Sequence, residues 1–130
     1  MSNDQRVFVC SKLRATDTVT FEQHVADAQS YGRYVVREKL GSPFIPHLMY
    51  PQFLDDAIQE EREAGMKAGV AFLDICDAFY VFLDETGQVS SGMQAELTHA
   101  RHIGLPLRVF QKMPDGIQER STECLTITNV

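Results

Sequence analysis

Six consecutive residues, Ala78-Phe79-Tyr80-Val81-Phe82-Leu83, are apolar. A strand shows alternate side chains to opposite faces, so an unbroken apolar run of this length predicts a strand covered on both sides, as in a parallel sheet between two helical layers. The remaining chain supplies the rest of such a sheet. Val7-Phe8-Val9-Cys10, following Arg6, predicts a first strand, closed by the polar loop Ser11–Thr18. From Thr20 to Leu40 the residues Phe21, Val25, Ala28, Tyr31, Val35 and Val36 recur at steps of three and four, which predicts a helix that Gly41 stops. Pro43 and Pro46 around Phe44-Ile45 predict a short second strand ending at Pro46-His47, because proline cannot donate to a ladder. Asp55-Asp56 suit a helix start, and Met66, Val70 and Leu73 continue a second long helix within Phe53–Ala78. Ser91–Ile103 predicts a third helix, ended by Gly104 and Pro106 ahead of a strand at Leu107–Phe110. Lys112–Thr122 is polar with Pro114 and Gly116, and Cys124–Thr128 predicts a terminal strand or an extended tail.

Strands alternating with helices give right-handed βαβ units. The expected fold class is therefore α/β: a doubly wound, flavodoxin/Rossmann-like parallel sheet of four to five strands flanked by helices. At 130 residues, one core is expected, with residues 1–130 forming one domain. Ligands in such sheets bind beyond the carboxyl ends of the strands, where the strand order reverses. That rule selects four loops: Ser11–Thr18, Pro46–Pro51, Asp84–Ser90 and Gln111–Gly116.

Eighteen acidic against twelve basic side chains give a net charge of -6, which opposes attraction to a nucleic-acid polymer or an anionic membrane. A small phosphorylated ligand stays compatible, because a helix N-terminus and one or two local cations suffice to hold it. No run approaches the ~20 apolar residues of a membrane span, and the amino terminus lacks the apolar stretch of a signal peptide. A cytoplasmic location is expected. Cys10, Cys76 and Cys124 are far apart and form no CxxC pair, so reduced thiols are expected, with Cys10 and Cys76 as small core residues. No His pair has metal-ligand spacing, and His24, His99 and His102 fall on helix surfaces. Neither metal nor cofactor is expected.

The stretch richest in chemistry is Ser90-Ser91-Gly92-Met93-Gln94-Ala95-Glu96-Leu97-Thr98-His99-Ala100, which follows the apolar strand and its loop. Ser90 or Ser91 stands at a helix N-cap, where a hydroxyl and free amide hydrogens cap the helix or take a phosphate. Gly92 permits close approach of a ligand to the backbone. Glu96, within the first two turns, is positioned to point over the strand ends, where a carboxylate attacks or stabilises an electron-poor sugar carbon; otherwise it offsets the helix dipole at the surface. Met93 shares this turn. In the first loop, Ser11 and Arg14 are candidate substrate-binding residues, Arg14 as a phosphate partner or an exposed cation. His47 is either a donor to a ligand or a structural bond to backbone. Arg62, in Glu60-Glu61-Arg62-Glu63, is a solvated charge or a clamp over the cleft. Met49-Tyr50-Pro51-Gln52-Phe53-Leu54 is apolar for a loop, and packs on its own domain or meets a second subunit.

Val7-Phe8-Val9-Cys10-Ser11, Asp77-Ala78-Phe79-Tyr80-Val81-Phe82-Leu83, and Ser90-x-Gly92-x-x-x-Glu96-Leu97-x-x-Ala100 followed by Gly104-Leu105-Pro106-Leu107 resemble the nucleoside 2-deoxyribosyltransferase-like superfamily, which includes nucleotide N-glycoside hydrolases. The resemblance runs from about Val7 to Phe110. Ser11-Lys12-Leu13-Arg14 and Pro46-His47-Leu48 look most similar to an uncharacterised bacterial and phage set within it. The resemblance places the superfamily's nucleophilic glutamate at Glu96 and the hydrolases' phosphate-binding serine at Ser90. It implies an enzyme acting on the N-glycosidic bond of a nucleoside or nucleotide, assembled as a homo-oligomer. One departure is plain: the acidic residue that helps protonate the departing base, usually eight positions before the Asp of the strand motif, is here Gly69, with Asp74 and Asp77 near it only in sequence. The same resemblance without that acid implies a non-catalytic nucleotide-binding or nucleotide-sequestering module.

Overall fold

A computed structural model describes residues 4–15 and 17–128; Thr16 of the first loop and residues 1–3 lie outside these. Five strands form one sheet in the order β2-β1-β3-β4-β5, with β1 at Arg6–Cys10, β2 at Ser42–Phe44, β3 at Ala78–Leu83, β4 at Leu107–Met113 and β5 at Gly116–Arg120. The first four are parallel and β5 runs antiparallel beside β4, so the expected α/β architecture holds with one antiparallel edge. Among the described residues five α-helices accompany them: α1 (Thr18–Arg37), α2 (Pro46–Met49), α3 (Gln59–Leu73), α4 (Ser91–His102) and α5 (Glu123–Thr128).

Every residue of β3 is buried, as its unbroken apolar run requires. Alternate side chains enter two cores. Phe79, Val81 and Leu83 join Phe8 and Cys10 against Leu73, Leu97 and Ala100 of α3 and α4. Ala78, Tyr80 and Phe82 join Val7 and Val9 against Tyr31 and Val35 of α1. Phe82 stacks between Tyr31 and Phe110, with ring centroids 4.7 and 4.9 Å away. Each such fully buried side chain contributes about 1.5–3 kcal/mol relative to exposure. No disulfide joins the cysteines among the described residues, and Cys10 and Cys76 are buried core residues.

Four sequence expectations need correction. Pro46 does not end a strand: it opens α2, since a fixed φ and a missing amide hydrogen suit the first turn of a helix, and His47 therefore sits on that turn. The long second helix begins at Gln59, because Asp55 folds the preceding segment into a turn, its carboxylate accepting from Ala57 N at 2.9 Å. The polar stretch after Lys112 is a hairpin: β4 continues to Met113 and returns as β5, with Gly116 at φ +131°. Polar pairs hold this edge, Arg108 meeting both Glu119 oxygens at 2.8 and 2.6 Å, so no apolar alternation marked it. Lastly, Glu123–Thr128 is helical; the Ser121 hydroxyl accepts from Glu123 N at 3.2 Å and Leu125 is fully buried.

The chain leaves β1 through α1 toward β2 and leaves β3 through α4 toward β4. The strand order thus reverses between β1 and β3, which pair in register from Val7–Ala78 to Cys10–Val81. Their carboxyl ends carry Ser11 and the loop before Ser90, and there a crevice forms.

Candidate functional site

The residue after β1, Ser11, and the first turn of α4 face one cavity of about 610 Å³. The β1–α1 loop lends Ser11, Leu13, Arg14 and Ala15; α2 and the turn after it lend Pro46, His47, Tyr50, Pro51 and Leu54; α3 lends Glu61, Arg62, Glu63, Gly65 and Met66, with Asp56 ahead of it; α4 lends Ser90, Ser91, Gly92, Met93 and Glu96. Ser11, Arg14, His47, Ser90, Ser91, Gly92, Met93 and Glu96, named from the sequence, are brought together, and Arg62, read as a solvated charge or a clamp, lines the same cavity. Of the four loops selected beforehand, the third contributes only Ser90. Gln111–Gly116 contributes nothing, because β4 and its hairpin occupy it.

Ser90 caps α4: its hydroxyl accepts from Met93 N at 3.2 Å and its carbonyl from Gln94 N at 2.8 Å. The amide hydrogens of Ser91 and Gly92 are the ones a helix start leaves without acceptors. Gly92 keeps the wall low, since a Cβ there would stand 4.0 Å from the Met66 methyl across the cleft.

Glu96 shares the buried face of α4 with Met93, Leu97 and Ala100 at helical spacing, and is 4% exposed. Burial raises its carboxyl to about 8, against a smaller opposing effect of a bond with the Cys10 thiol. The Cys10 thiol is itself pushed well up, first by burial and then by Glu96. Cys10 Sγ also lies 3.8 Å from the Met93 carbonyl.

His47 Nε2 lies 2.7 Å from the Ser11 carbonyl. A carbonyl only accepts, so Nε2 carries the hydrogen. Burial lowers this imidazole to about 4, with the Ser11 bond opposing and His24 adding slightly, so it is neutral at pH 7. His24 Nδ1 meets the Leu13 carbonyl at 2.9 Å, so two imidazoles hold the first loop by its backbone. The Ser11 hydroxyl is 2% exposed and without a hydrogen-bond partner among the described residues. Arg14 and Arg62 make no ion pair among those residues.

Asp77 and Asp74 lie elsewhere. Asp77 accepts from the Arg6 backbone at 2.7 Å, at the opposite end of the sheet, and Asp74 faces His99 at 3.4 Å. Gly69 is buried against Pro46, which a Cβ would meet at 3.5 Å, and it does not line the cavity. Among the described residues no three His, Cys, Asp or Glu side chains gather as a metal would need, and no helix is long and apolar enough to cross a membrane.

Sequence reasoning missed Asp56, Met66, Tyr50 and Leu54 as lining residues. In the sequence Asp56 reads as part of a helix start, and Met66 as one of the residues that continue the second long helix. The available signal was the apolar excess of Met49–Leu54 at the end of the second strand: Tyr50 and Leu54 turn into the cavity while Met49 and Phe53 stay exposed.

Residues 5–110 match the family described as "Domain of unknown function (DUF7768)". The chain belongs to this family. The DUF7768 segment spans β1 through most of β4 and thus every cavity residue. No curated protein matches the chain. Solved structures share this fold, among them the following two. A 2-deoxyribosyltransferase from Bacillus psychrosaccharolyticus is 16% identical, with a TM-score of 0.61 over 95% of this chain and 81% of its own. A 2-desoxiribosyltransferase from Leishmania mexicana is 16% identical, with a TM-score of 0.55 over 91% of this chain and 79% of its own. At such identity the likeness establishes a deoxyribosyltransferase-like fold for this DUF7768 chain.

Proposed function

We propose that the cavity binds a nucleoside or nucleotide and that Glu96 attacks its sugar, cleaving the N-glycosidic bond. The observation that carries this is a carboxyl held almost out of water on the wall of a crevice at the β1/β3 switch point. Its oxygen bonds to C1′ as the C1′–N bond breaks; the bonding pair leaves on the base, which takes up a proton. Water then opens the glycosyl ester in hydrolysis, or a second base nitrogen opens it in transfer.

The protein's other groups fit that substrate. Ser90, the free amides of Ser91 and Gly92, and Arg14 suit the 5′ side, phosphorylated or not. The Ser11 hydroxyl, without a partner among the described residues, offers one bond to a sugar or base, and Met93 underlies the site. An electropositive C1′ beside Glu96 favours the carboxylate that attack requires, offsetting the burial that keeps the empty site protonated.

The test is incubation with a panel of nucleosides and nucleoside monophosphates, reading released base by chromatography. Base is expected from at least one member with the native protein and none with Glu96→Ala. No release from any member defeats the enzymatic reading.

A second reading is favoured by Gly69: a protein that binds and sequesters nucleotides without turnover. It predicts thermal stabilisation by a nucleotide with no released base. The homo-oligomer expected from the sequence is supported by Met49 and Phe53, 37% and 66% exposed beside the cleft. Sedimentation as a monomer at working concentration counts against it.

A further inference from the structure

We propose that Asp56 is the acid that protonates the departing base, supplying from the turn before α3 what Gly69 does not. This rests on the glycosidic reading above. Four carboxyls line the cavity: Asp56, Glu61, Glu63 and Glu96. Glu96 is the buried nucleophile. Glu61 is committed, its Oε1 accepting from Asp55 N at 2.6 Å. Glu63 is exposed and accepts from Gln59 Nε2 at 3.0 Å. Asp56 is half-buried and makes no hydrogen bond among the described residues.

Its position suits the role. Asp56 lines both the main cavity and an adjoining one of about 820 Å³, whereas Glu96 lines only the first. A substrate whose sugar rests on Glu96 and whose base reaches toward the shared wall presents an acceptor of that base, a ring nitrogen or carbonyl oxygen away from C1′, to Asp56. Burial holds this carboxyl above its ordinary value, while Arg62, and less strongly Arg14, oppose the shift; Asp55 adds to it. Glu61 lies on the same shared wall. Exclusion from water favours the protonated form that a donor needs, and the two guanidinium groups stabilise the carboxylate left behind.

The proton balance closes. Asp56 gives its proton to the base as the C1′–N pair departs, and regains one from the water that opens the Glu96 ester. In transfer, the proton returns instead from the incoming base.

Two substrates separate the roles: a natural nucleoside or nucleotide from the panel, and a 2-deoxyriboside whose nitrophenolate leaves without protonation. Asp56→Asn is expected to lower kcat on the natural substrate by about 10²–10⁴-fold and to leave the nitrophenyl substrate within about threefold. The fall of native kcat with rising pH, as Asp56 ionises, is expected on the natural substrate alone. Glu96→Gln is expected to abolish both reactions. If Asp56→Asn, folded by its melting curve, impairs both substrates equally or neither, Asp56 is not the acid and the nucleophile assignment stands. If the native protein cleaves neither substrate, the glycosidic reading falls and this inference with it.

Discussion

His47 donates its Nε2 hydrogen to the Ser11 carbonyl across 2.7 Å, tying the first turn of α2 to the residue that follows β1. One bond thus couples two walls of the cavity and fixes the tautomer of a neutral imidazole. The unfolded chain protonates this group at 6.5, the folded one only at about 4. The unfolded state therefore binds the proton first, and stability present above pH 6.5 is lost as pH falls through 4, by on the order of 3 kcal/mol. His47→Phe is expected to remove this acid dependence and to cost about 1–3 kcal/mol at pH 7, as the carbonyl loses its donor. Urea unfolding between pH 4 and 7 checks both.

Glu96 has the opposite slope. Its carboxyl protonates at 4.5 unfolded and about 8 folded, so the native state binds the extra proton between those values. Stability contributed below pH 4.5 is lost as pH rises through 8, on the order of 3–5 kcal/mol. Glu96→Gln, neutral at every pH, is expected to melt higher than the native protein at pH 8.5, with the two converging near pH 5. A native protein that melts alike at both ends of this range, with His47 accounted for, removes the buried carboxyl from the argument.

The Ser11 hydroxyl loses its hydration on folding and gains no partner among the described residues. Ser11→Ala is accordingly expected to leave the empty protein as stable or up to about 1 kcal/mol more stable, while weakening a bound nucleotide about tenfold. Differential scanning with and without ligand separates the two effects. Lost stability without lost affinity contradicts a ligand-facing role.

At Gly69 a methyl group meets Pro46 at an ordinary 3.5 Å. Gly69→Ala is expected to stabilise the protein by about 0.5–1 kcal/mol through helix propensity. Gly69→Asp, burying an unpaired carboxylate against Pro46 and Tyr50, is expected to cost about 2–4 kcal/mol and to add no catalytic acid. Urea unfolding of both variants gives the comparison.

Much of the fold was legible because its determinants are local. The apolar run at β3, the helical spacing from Phe21 to Val36 and the serine cap of α4 each act through a few neighbouring residues, and from them the parallel sheet and the place of its crevice follow. The edge was not legible: β5 is held by Arg108–Glu119 across strands, and α5 by the burial of Leu125, both invisible to periodicity.

The same division runs through the site. Glu96, Ser90 and Ser11 were readable because each lies next to an element whose end the sequence marks. That Glu96 faces inward beside Cys10, that Gly69 turns away onto Pro46, and that Asp56 comes to share a wall with Arg14 and Arg62 were decided by tertiary packing alone. Cys10 and Glu96, Arg14 and Asp56, and Pro46 and Gly69 each stand more than twenty positions apart, and solvent exclusion, which sets the protonation of the buried groups, exists only once the layers have closed.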